Sequence, residues 1–401
     1  MEYTSKTSPA SLISSLGCSS CGASYDAHAL HSLSSCCHLP LVARYEHEEP
    51  LHKEVLQNRP GTMWRYRELL PVLKKENIVS LGEGFTPILS LDTLAGKYNF
   101  RELLLKDEGQ NPTGSFKARG LSMAVSKAKE LGIEGCIIPT AGNAGVALAA
   151  YCARAGMKAV VVMPHHTPKA FREECYWYGA EVHLVDGLIN DCAHKAKELN
   201  RDGSWLDVST LKEPYRLEGK KTMGYEIAEQ LNWQLPDVIL YPAGGGTGLI
   251  GIWKAFHELK AIGWLPEETI LPRMVAVQAA NCMPLVETFF GRQPNAQQYV
   301  GKPTIANGLA VPRPIGEPLM LHVLSASKGT AIGITEEEMI FSLQELSSLE
   351  GLFVAPEGAA LWMASRKLLA AGYILPEEQV LLLNTGNGQK YMENIENKYK
   401  G

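Results

Sequence analysis

The stretch DVILYPAGGGTGLIG, residues 237–251, is typical of a strand, a glycine-rich turn and the start of a helix in direct succession. Residues 238–241 form an apolar run that includes β-branched side chains, and the glycines after it allow a sharp turn of the backbone. From Gly248 to residue 259 the apolar side chains recur at helical spacing. A strand that leads directly into a helix is the repeating part of a βαβ unit, so this stretch predicts an α/β protein.

The same alternation extends over most of the chain. Apolar runs bounded by Gly, Pro or Asp predict further strands at 103–105, 136–139, 159–163, 181–185, 274–277 and 380–383. Helical periodicity follows most of these runs, for example over 335–349. Because the strands are too many for one sheet, we expect two parallel-sheet α/β domains with the ligand between them.

The composition of the chain changes at its N-terminal end, where Ser, Cys and His are frequent. We therefore predict a small Cys-rich, zinc-ribbon-like module over residues 1–45. A small α/β domain over 119–215 is expected as an insertion in a larger α/β domain, which is formed by 46–118 and 216–401.

The glycine-rich turn indicates a site for an anion such as a phosphate group. Glycines let the backbone approach the anion closely, and the N-terminus of the following helix offers unpaired N–H groups. One alternative is that the glycines only allow tight packing of helix on sheet. Another is the dinucleotide fingerprint G-x-G-x-x-G, which residues 246–251 match and which would predict an oxidoreductase. The acidic residue that this fingerprint requires is missing, since the next predicted strand ends in Gln278-Ala279-Ala280.

The segment KDEGQNPTGSFKARG, residues 106–120, brings a lysine to the start of another helix. It passes from a predicted strand through turn-forming residues and opens a helix near Ser115, with Lys117 in the first turn. The helix dipole disfavours positive charge there, so the amine should lose its proton more easily. A free amine is what Schiff-base chemistry requires. Judged from its position alone, a solvated surface lysine is the better interpretation.

Residues 111–119, NPTGSFKAR, resemble the cofactor-lysine segment of threonine synthases, which are fold-type II pyridoxal phosphate-dependent enzymes. Further stretches match this family in its order: LGEGFTP at 81–87, TAGNA at 140–144, PYRLEGKKT at 214–222, the glycine-rich turn, and NTGNG at 384–388. The resemblance runs from about residue 16 nearly to the C-terminus. It implies the tryptophan synthase β-like fold, with two parallel-sheet α/β domains, and a homodimer.

The resemblance also implies how pyridoxal 5'-phosphate is bound. Lys117 would hold it as a Schiff base, the glycine-rich turn would bind its phosphate, and Asn143 would donate a hydrogen bond to its 3'-oxygen. Thr385 would face the pyridine nitrogen, where a hydroxyl favours elimination and replacement over transamination because it does not require a protonated ring. The cofactor-binding residues expected are Lys117, Phe116, Asn143, Gly244, Gly245, Gly246, Thr247, Gly248 and Thr385.

The substrate-binding positions of the family fall on two further segments. Thr140, Ala141 and Gly142 would receive the substrate carboxylate at a helix start, although Thr140 could also be a simple helix cap. Arg216 would bind a substrate phosphate, helped by Lys221 and its neighbour Lys220. Two positions depart from the better known branch of the family, which has Asn-Ser in place of Thr210-Leu211 and a second hydroxyl residue in place of Ala141.

The activity implied by the resemblance is that of a lyase, which converts O-phosphohomoserine and water to threonine and phosphate. Lys117 would remove the Cα proton and then a Cβ proton of the substrate. The two departures leave open a threonine or serine dehydratase, or a cysteate synthase. A non-catalytic protein that binds pyridoxal phosphate or an amino acid is the alternative from another class, but such a protein would be expected to lose the lysine or the glycine-rich turn.

The N-terminal cysteines suggest a metal site. CSSCG at 18–22 is half of a zinc ribbon, and CHLPL at 37–41 resembles the family's closing C-G-x-P-L, but Ser34 stands where its partner cysteine should be. The candidate zinc ligands are therefore Cys18, Cys21 and Cys37, completed by Cys36, His38 or another nearby histidine. Adjacent cysteines rarely reach one tetrahedral ion, so a metal-free remnant of structural character is the equal alternative.

Charge and hydropathy exclude several classes of partner. The 38 basic and 43 acidic residues leave a net charge of −5 and form no long run of one sign, which argues against a nucleic-acid binder. No apolar stretch approaches the roughly 18 to 20 residues of a membrane helix. The start, MEYTSKTSPASLIS, has no apolar core of secretory length, so we expect a cytoplasmic enzyme whose partner is a small amino-acid substrate.

Overall fold

The computed structural model describes residues 11–46, 50–187, 189–292 and 299–399, and the strands in these residues form three sheets. Those of the N-terminal module are β1 (Ile13–Cys18), β2 (Ser24–Tyr25) and β3 (Leu41–Tyr45). The others are β4 (Ile88–Ser90), β5 (Glu102–Asp107), β6 (Gly135–Pro139), β7 (Lys158–Pro164), β8 (Glu181–Val185), β9 (Leu206–Asp207), β10 (Val238–Pro242), β11 (Arg273–Ala279), β12 (Thr330–Ile334) and β13 (Gln379–Asn384).

The α-helices alternate with these strands. They are α1 (Asp92–Tyr98), α2 (Lys117–Glu130), α3 (Asn143–Ala155), α4 (Lys169–Trp177), α5 (Ile189–Leu199), α6 (Tyr215–Gln230), α7 (Thr247–Ala261), α8 (Pro284–Phe289), α9 (Glu317–Ala326), α10 (Glu336–Glu350), α11 (Pro356–Ala370) and α12 (Met392–Tyr399). Short 3-10 helices lie at Lys53–Asn58, Met63–Leu69, Lys75–Asn77, Glu108–Gln110, Pro112–Gly114, Asn307–Leu309 and Gly388–Tyr391. In the part of the chain that the structure describes, no helix is long and apolar enough to cross a membrane.

The larger sheet has six strands in the order β12-β11-β10-β13-β5-β4. Its strands run parallel except β4, which pairs with β5 in the antiparallel sense. Leu240 in β10 pairs with Val275 on one side and with Leu382 on the other. Every residue of β10 is buried, which explains the continuous apolar run in the sequence, because a parallel strand is covered on both faces.

The second sheet has four parallel strands in the order β8-β7-β6-β9. Helix α2 packs both on α3, which covers this sheet, and on α6, which in turn packs on α7. Every strand predicted between residues 103 and 383 is present, so the prediction of parallel α/β layers is confirmed. The four strands of this sheet lie within residues 119–215, but the domain boundaries themselves stay a prediction.

The N-terminal module is a small antiparallel sheet in the order β2-β1-β3. Its own core is limited to six buried apolar residues, namely Ile13, Leu16, Cys18, Ala27, Leu41 and Ala43. The sheet packs on the rest of the chain through Tyr45, whose hydroxyl donates a 2.7 Å hydrogen bond to Glu218 in α6. Residues 1–10 of the predicted module lie outside the described residues.

The carboxyl ends of the parallel strands determine where a ligand can bind. In the larger sheet, β10, β13 and β5 are neighbours, so the loops after Pro242, Asn384 and Asp107 emerge side by side. In the smaller sheet, β6 and β9 are neighbours, and the loops after Pro139 and Asp207 also emerge together. Open α/β sheets bind ligands at such carboxyl ends. Apart from LGEGFTP at 81–87, which precedes β4, the motifs matched to the family begin in the loops after these strands or at the start of the helix that follows.

Candidate active site

A cavity lies where these loops meet. The cavity brings together Lys117 after β5, Asn143 after β6, Thr210 after β9 and Thr385 after β13. The remaining lining residues are Phe116, Tyr241, Pro242, Gly244, Gly245, Gly246, Thr247, Gly308, Leu309, Val311, Glu357 and Tyr391.

Lys117 is the first residue of α2 and is partly buried. Its Nζ lies 4.5 Å from the centroid of the Phe116 ring, and the N–H of Phe116 donates a 3.1 Å hydrogen bond to the carbonyl of Thr385. The pKa of Lys117 is lowered to about 7, mainly by burial and in addition by the nearby charge of Arg216, while Glu357 opposes the shift. A lowered pKa was expected from the helix dipole, but burial is the larger cause. The amine is therefore ready to attack an aldehyde near neutral pH.

A buried network of charges fixes the loop that carries Lys117. The Nε of Arg119 donates a 2.6 Å hydrogen bond to Glu108, and its Nη2 donates a 2.7 Å hydrogen bond to Glu226 in α6. Lys106 in β5 forms a 3.0 Å ion pair with Glu226. All four side chains are fully buried, and two positive charges balance two negative charges. The network joins β5, α2 and α6 directly beneath the lysine.

The glycine-rich turn after β10 leaves room for an anion. A Cβ on Gly244 would lie 2.2 Å from the carbonyl oxygen of Gly308, so only glycine fits there. Gly246 has a φ of +75° and precedes α7, whose first N–H groups have no side-chain cap. Free N–H groups at a helix start attract phosphate. Gly248 lies in the first turn of α7, where a Cβ would meet the Tyr241 hydroxyl at 2.2 Å, and its place at the cofactor stays a prediction.

Lys220 adds a positive charge to this turn. Its ammonium donates a 2.6 Å hydrogen bond to the hydroxyl of Thr247 and lies 4.8 Å from the centroid of the Phe116 ring. Burial, together with the charges of Lys117 and Arg216, holds the pKa of Lys220 well below its usual range. Three basic side chains so close together oppose one another's protonation, and a ligand with several negative charges would relieve this repulsion.

A chain of hydrogen bonds lines the opposite side of the cavity. The amide of Asn143 donates a 3.1 Å hydrogen bond to the Tyr391 hydroxyl, which donates a 3.0 Å hydrogen bond to Oε1 of Glu357. The N–H of Gly308 donates to the same oxygen at 2.7 Å. Burial raises the pKa of Glu357. Sequence reasoning missed Tyr391 and Glu357, because a glutamate in the first turn of a helix is usually only a favourable partner of the helix dipole.

The predicted substrate residues lie beside the cavity. Thr140, Ala141 and Gly142 precede α3, and the N–H of Gly142 donates a 3.3 Å hydrogen bond to the Thr140 hydroxyl. Helix α3 has no side-chain cap, so its first N–H groups are available to a carboxylate. Arg216 is buried and donates to the carbonyl of Val208. Among the described residues, its Nε and Nη2 have no hydrogen-bond partner, which suits an anionic ligand.

The prediction that Lys221 binds the substrate phosphate is wrong. Its ammonium forms ion pairs of 2.5 Å with Glu218 and 3.0 Å with Glu258. It also lies 3.8 Å from the centroid of the Tyr45 ring. Successive residues of a helix point about 100° apart, so Lys220 and Lys221 cannot face the same cavity. Arg216 and Lys220 are four residues apart, so they lie on the same face of α6, and Lys221 points to another side.

Pyridoxal 5'-phosphate fits these residues. The glycine-rich turn and Lys220 suit its phosphate, the amine of Lys117 suits its aldehyde, and the Thr385 hydroxyl suits its pyridine nitrogen. Comparison with protein families agrees, because residues 79–386 match the model of the pyridoxal-phosphate dependent enzymes. The chain belongs to this family. The matched region of this pyridoxal-phosphate dependent enzyme contains every residue of the cavity except Tyr391, and it excludes the N-terminal module.

Relatives of this pyridoxal-phosphate dependent enzyme cover almost its whole length. The threonine synthase of Methanocaldococcus jannaschii is 36% identical over 377 residues, which are 93% of this chain and 92% of the relative. The threonine synthase of Methanosarcina acetivorans is 33% identical over 374 residues, covering 93% of this chain and 91% of the relative. Both alignments are long enough to include the N-terminal module in part.

Solved structures of other family members share the fold. Maize serine racemase superposes with a TM-score of 0.64 over 79% of this chain and 93% of the racemase, at 19% identity. Diaminopropionate ammonia lyase from Escherichia coli gives a TM-score of 0.66 over 82% of this chain and 94% of the lyase, also at 19% identity. At this level of identity the likeness concerns the fold alone, and it confirms the fold-type II architecture expected from the sequence.

Proposed function

We propose that this pyridoxal-phosphate dependent enzyme is a threonine synthase, a lyase that converts O-phosphohomoserine and water to threonine and phosphate. Its relatives over nine-tenths of the chain carry this name. The observation that supports the substrate is the buried guanidinium of Arg216, whose Nε and Nη2 have no partner within the described residues. A buried cation without a partner is costly unless a ligand neutralises it, and a planar guanidinium matches a phosphate.

Lys117 is proposed to serve as both the attachment point of the cofactor and the base. Bound pyridoxal phosphate supplies the electron sink that stabilises negative charge on the substrate. With its pKa lowered to about 7, Lys117 can both accept and return a proton at neutral pH. Its amine takes the proton from Cα and gives it up before it takes a proton from Cβ. Phosphate then leaves from Cγ, the hydroxyl of water adds at Cβ, and protons are returned to Cγ and to Cα while the third leaves with the phosphate.

The two anionic ends of the substrate would bind to different elements. The carboxylate is assigned to the uncapped start of α3, next to the Thr140 hydroxyl and the N–H groups of Ala141 and Gly142. The phosphate is assigned to Arg216, on α6. Because both ends are held, the carbon atoms between them would be fixed in position over the Lys117 amine.

Thr385 is proposed to direct the chemistry toward elimination and replacement. It is buried at the end of β13, where its residue lines the cavity. A hydroxyl does not impose protonation on the pyridine nitrogen as a carboxylate would. The ring then withdraws electrons less strongly, which disfavours the long-lived carbanion that transamination requires.

The test is a set of three separate incubations of the purified holoenzyme, with O-phosphohomoserine, O-phosphoserine or threonine. We expect phosphate and threonine in equal amounts from the first substrate, and little 2-oxo acid from the third. If no phosphate is released from O-phosphohomoserine, the proposal is rejected. Release of 2-oxo acid from threonine at a comparable rate would identify a dehydratase, and phosphate release from O-phosphoserine with sulfite present would identify a cysteate synthase.

The dehydratase and cysteate synthase alternatives rest on the two departures from the better known branch, at Thr210-Leu211 and at Ala141. Thr210 does line the cavity. Its methyl group lies 2.7 Å from the position that a Cβ on Gly245 would take. A dehydratase acting on threonine or serine has no phosphate to bind, so it would not require the free guanidinium of Arg216. Arg216 therefore favours a substrate with a phosphate over the dehydratase alternative, and the names of the relatives favour threonine synthase over cysteate synthase.

We further propose that the enzyme works in the cytoplasm as a homodimer. The dimer is implied by the sequence resemblance, and light scattering of the purified protein would test it. A monomeric mass at micromolar concentration would reject the dimer.

A further inference from the structure

Two turns in the N-terminal module have the same backbone geometry. In the first, the N–H of Cys18 donates to the carbonyl of Ala23 at 2.9 Å, and the N–H of Gly22 donates to the carbonyl of Cys18 at 3.0 Å. In the second, the N–H of Ser34 donates to the carbonyl of Leu39 at 2.9 Å, and the N–H of His38 donates to the carbonyl of Ser34 at 2.9 Å. Gly22 and His38 both have left-handed φ angles, of 75° and 54°.

The match between the turns aligns residues sixteen apart. Cys18 corresponds to Ser34 and Cys21 corresponds to Cys37. Non-glycine residues seldom adopt the left-handed conformation, and histidine is among those that tolerate it best, so His38 can take the position of Gly22 in the second turn. The repeated geometry therefore indicates that both turns serve the same purpose, which is to direct two side chains toward a common point.

Four sulfur atoms meet at that point. The Sγ atoms of Cys18, Cys21, Cys36 and Cys37 all lie within 4.8 Å of one another. Cys21 and Cys36 are the most closely paired, with 3.4 Å between their sulfurs. In a tetrahedral site with Zn–S bonds of about 2.3 Å, the sulfurs lie ~3.8 Å apart, so the cluster needs only small adjustments to bind an ion.

We propose that Cys18, Cys21, Cys36 and Cys37 bind one zinc ion, and that Cys36 replaces the ligand that Ser34 cannot supply. The Ser34 hydroxyl occupies the place of the missing sulfur, 3.4 Å from Sγ of Cys18. Adjacent cysteines were not expected to share an ion, but the sulfurs of Cys36, which is exposed, and of Cys37, which is half-buried, both lie in the cluster. Four thiolates in a tetrahedron select zinc over harder divalent ions.

The module has a physical need for this ion. Its six buried apolar residues are too few to hold more than thirty residues in one conformation. The segment between the two turns has little regular structure apart from the short β2. A structural zinc supplies the missing free energy by fixing both turns to each other.

The ion would also stabilise a contact with the active-site segment. The hydroxyl of Ser32, just before the second turn, donates a 2.7 Å hydrogen bond to the carbonyl of Lys212. Lys212 lies between Thr210, which lines the cavity, and Arg216. The zinc therefore has a structural role, at a distance from the chemistry, and it holds the outer side of the segment 209–216.

The experiment is elemental analysis of the holoenzyme, purified without a histidine tag from cells supplied with zinc. We expect about one zinc per chain, and its loss in Cys36→Ser. Cys282→Ala is the matched control. This buried cysteine is not one of the four in the cluster, so the variant should retain the metal. The double variant Ser34→Cys/Cys36→Ser should recover the zinc, since it restores the sulfur at the matched position of the second turn.

A second measurement uses cobalt in place of zinc. Tetrahedral thiolate ligands give cobalt(II) strong charge-transfer absorbance, which Cys36→Ser should weaken or lose and Cys282→Ala should keep. Absence of zinc and of cobalt absorbance in the folded holoenzyme would overturn the proposal. So would full retention of zinc in Cys36→Ser, or a mass spectrum that shows a Cys21–Cys36 disulfide in place of four free thiols. Because pyridoxal phosphate content is measured on the same samples, failure of this proposal and failure of the proposed function are distinguishable.

Discussion

The ammonium of Lys220 donates a 2.6 Å hydrogen bond to the hydroxyl of Thr247, the first residue of α7. This contact connects α6, which carries Arg216, to the glycine-rich turn after β10. It places the buried amine of Lys220 at the start of a helix, where burial and the helix dipole both oppose its protonation. Such an arrangement becomes favourable only when an anion binds between the lysine and the turn, so Lys220 is expected to select the phosphate of the cofactor.

The first prediction concerns this lysine. Lys220→Met should weaken pyridoxal phosphate binding by roughly tenfold to a hundredfold, because a hydrogen bond to a charged group contributes about 1.5 to 3 kcal/mol. Equilibrium titration of the apoenzyme with the cofactor, followed by absorbance, measures the change in Kd. Lys221→Met is the matched control, since this neighbour faces Glu218 and Glu258 instead of the cavity. Equal losses of affinity in the two variants would contradict the assignment.

The second prediction concerns the pH dependence of cofactor attachment to Lys117. Its pKa is lowered from the ordinary 10.5 to about 7, so the reactive free amine rises from about a tenth at pH 6 to about nine-tenths at pH 8. The rate of cofactor attachment to the apoenzyme should increase over this range and then level off. Stopped-flow absorbance provides the measurement. A rate that keeps increasing up to pH 10 would show an ordinary lysine, and Lys117→Ala should show no covalent attachment and no turnover.

The third prediction tests the charge of Glu357. Its carboxylate raises the pKa of Lys117, in opposition to burial and to Arg216. Glu357→Gln removes the charge but keeps an oxygen that can accept from Gly308 and Tyr391. The ammonium of Lys117 then loses an attractive neighbour, its pKa falls, and the midpoint of the attachment rate should move to lower pH. An unchanged midpoint would mean that Glu357 is already uncharged at that pH, which would refute the prediction.

The fourth prediction separates phosphate binding from cofactor binding. Arg216→Met should raise the KM for O-phosphohomoserine roughly tenfold to a hundredfold, because it removes charged hydrogen bonds to the substrate phosphate. The pyridoxal phosphate content should stay unchanged, and binding of threonine, which has no phosphate, should change little. Steady-state kinetics and a threonine titration measure both effects. A variant that binds O-phosphohomoserine normally would show that the buried guanidinium has another role.

Much of the fold could be predicted from the sequence, because fully buried parallel strands leave continuous apolar runs. The strand at Thr330–Ile334 was missed, since it is short and contains a glycine. The helix expected to open near Ser115 begins at Lys117. The delay arises because Thr113 has a φ of 64° and Ser115 is extended, where it pairs with Gly386 in an isolated bridge. Such tertiary pairing leaves no local pattern.

The active site could be predicted only where its residues lie in continuous motifs. Lys117, Asn143 and Thr385 each follow a strand end and were found in this way. Glu357 and Tyr391 were missed because they meet each other and Gly308 only in the folded chain, from three segments that are distant in sequence. To choose between Lys220 and Lys221 one must know which side of α6 is turned toward the cavity, although the four-residue spacing from Arg216 already indicated Lys220.

The last prediction concerns the stability that Arg119 provides. Arg119→Leu leaves Glu108 and Glu226 buried with Lys106 as their remaining cation, and it should lower the free energy of unfolding by about 3 to 5 kcal/mol. Urea denaturation of the apoenzyme measures the loss. The matched control is Lys195→Ala, which breaks the exposed pair of 3.1 Å with Glu198 and should cost about 1 kcal/mol or less.

The cause can be separated from simple loss of packing by a second substitution. In the double variant Arg119→Leu/Glu226→Leu one of the unbalanced carboxylates is gone, so part of the lost stability should return. If the double variant instead loses more free energy of unfolding than the two single variants lose together, the network stabilises the fold through its geometry and not through charge balance. Because Arg119 lies two residues after Lys117, its loss should also slow cofactor attachment. This effect should persist in the double variant, since the hydrogen bond between Arg119 and Glu108 is still missing there.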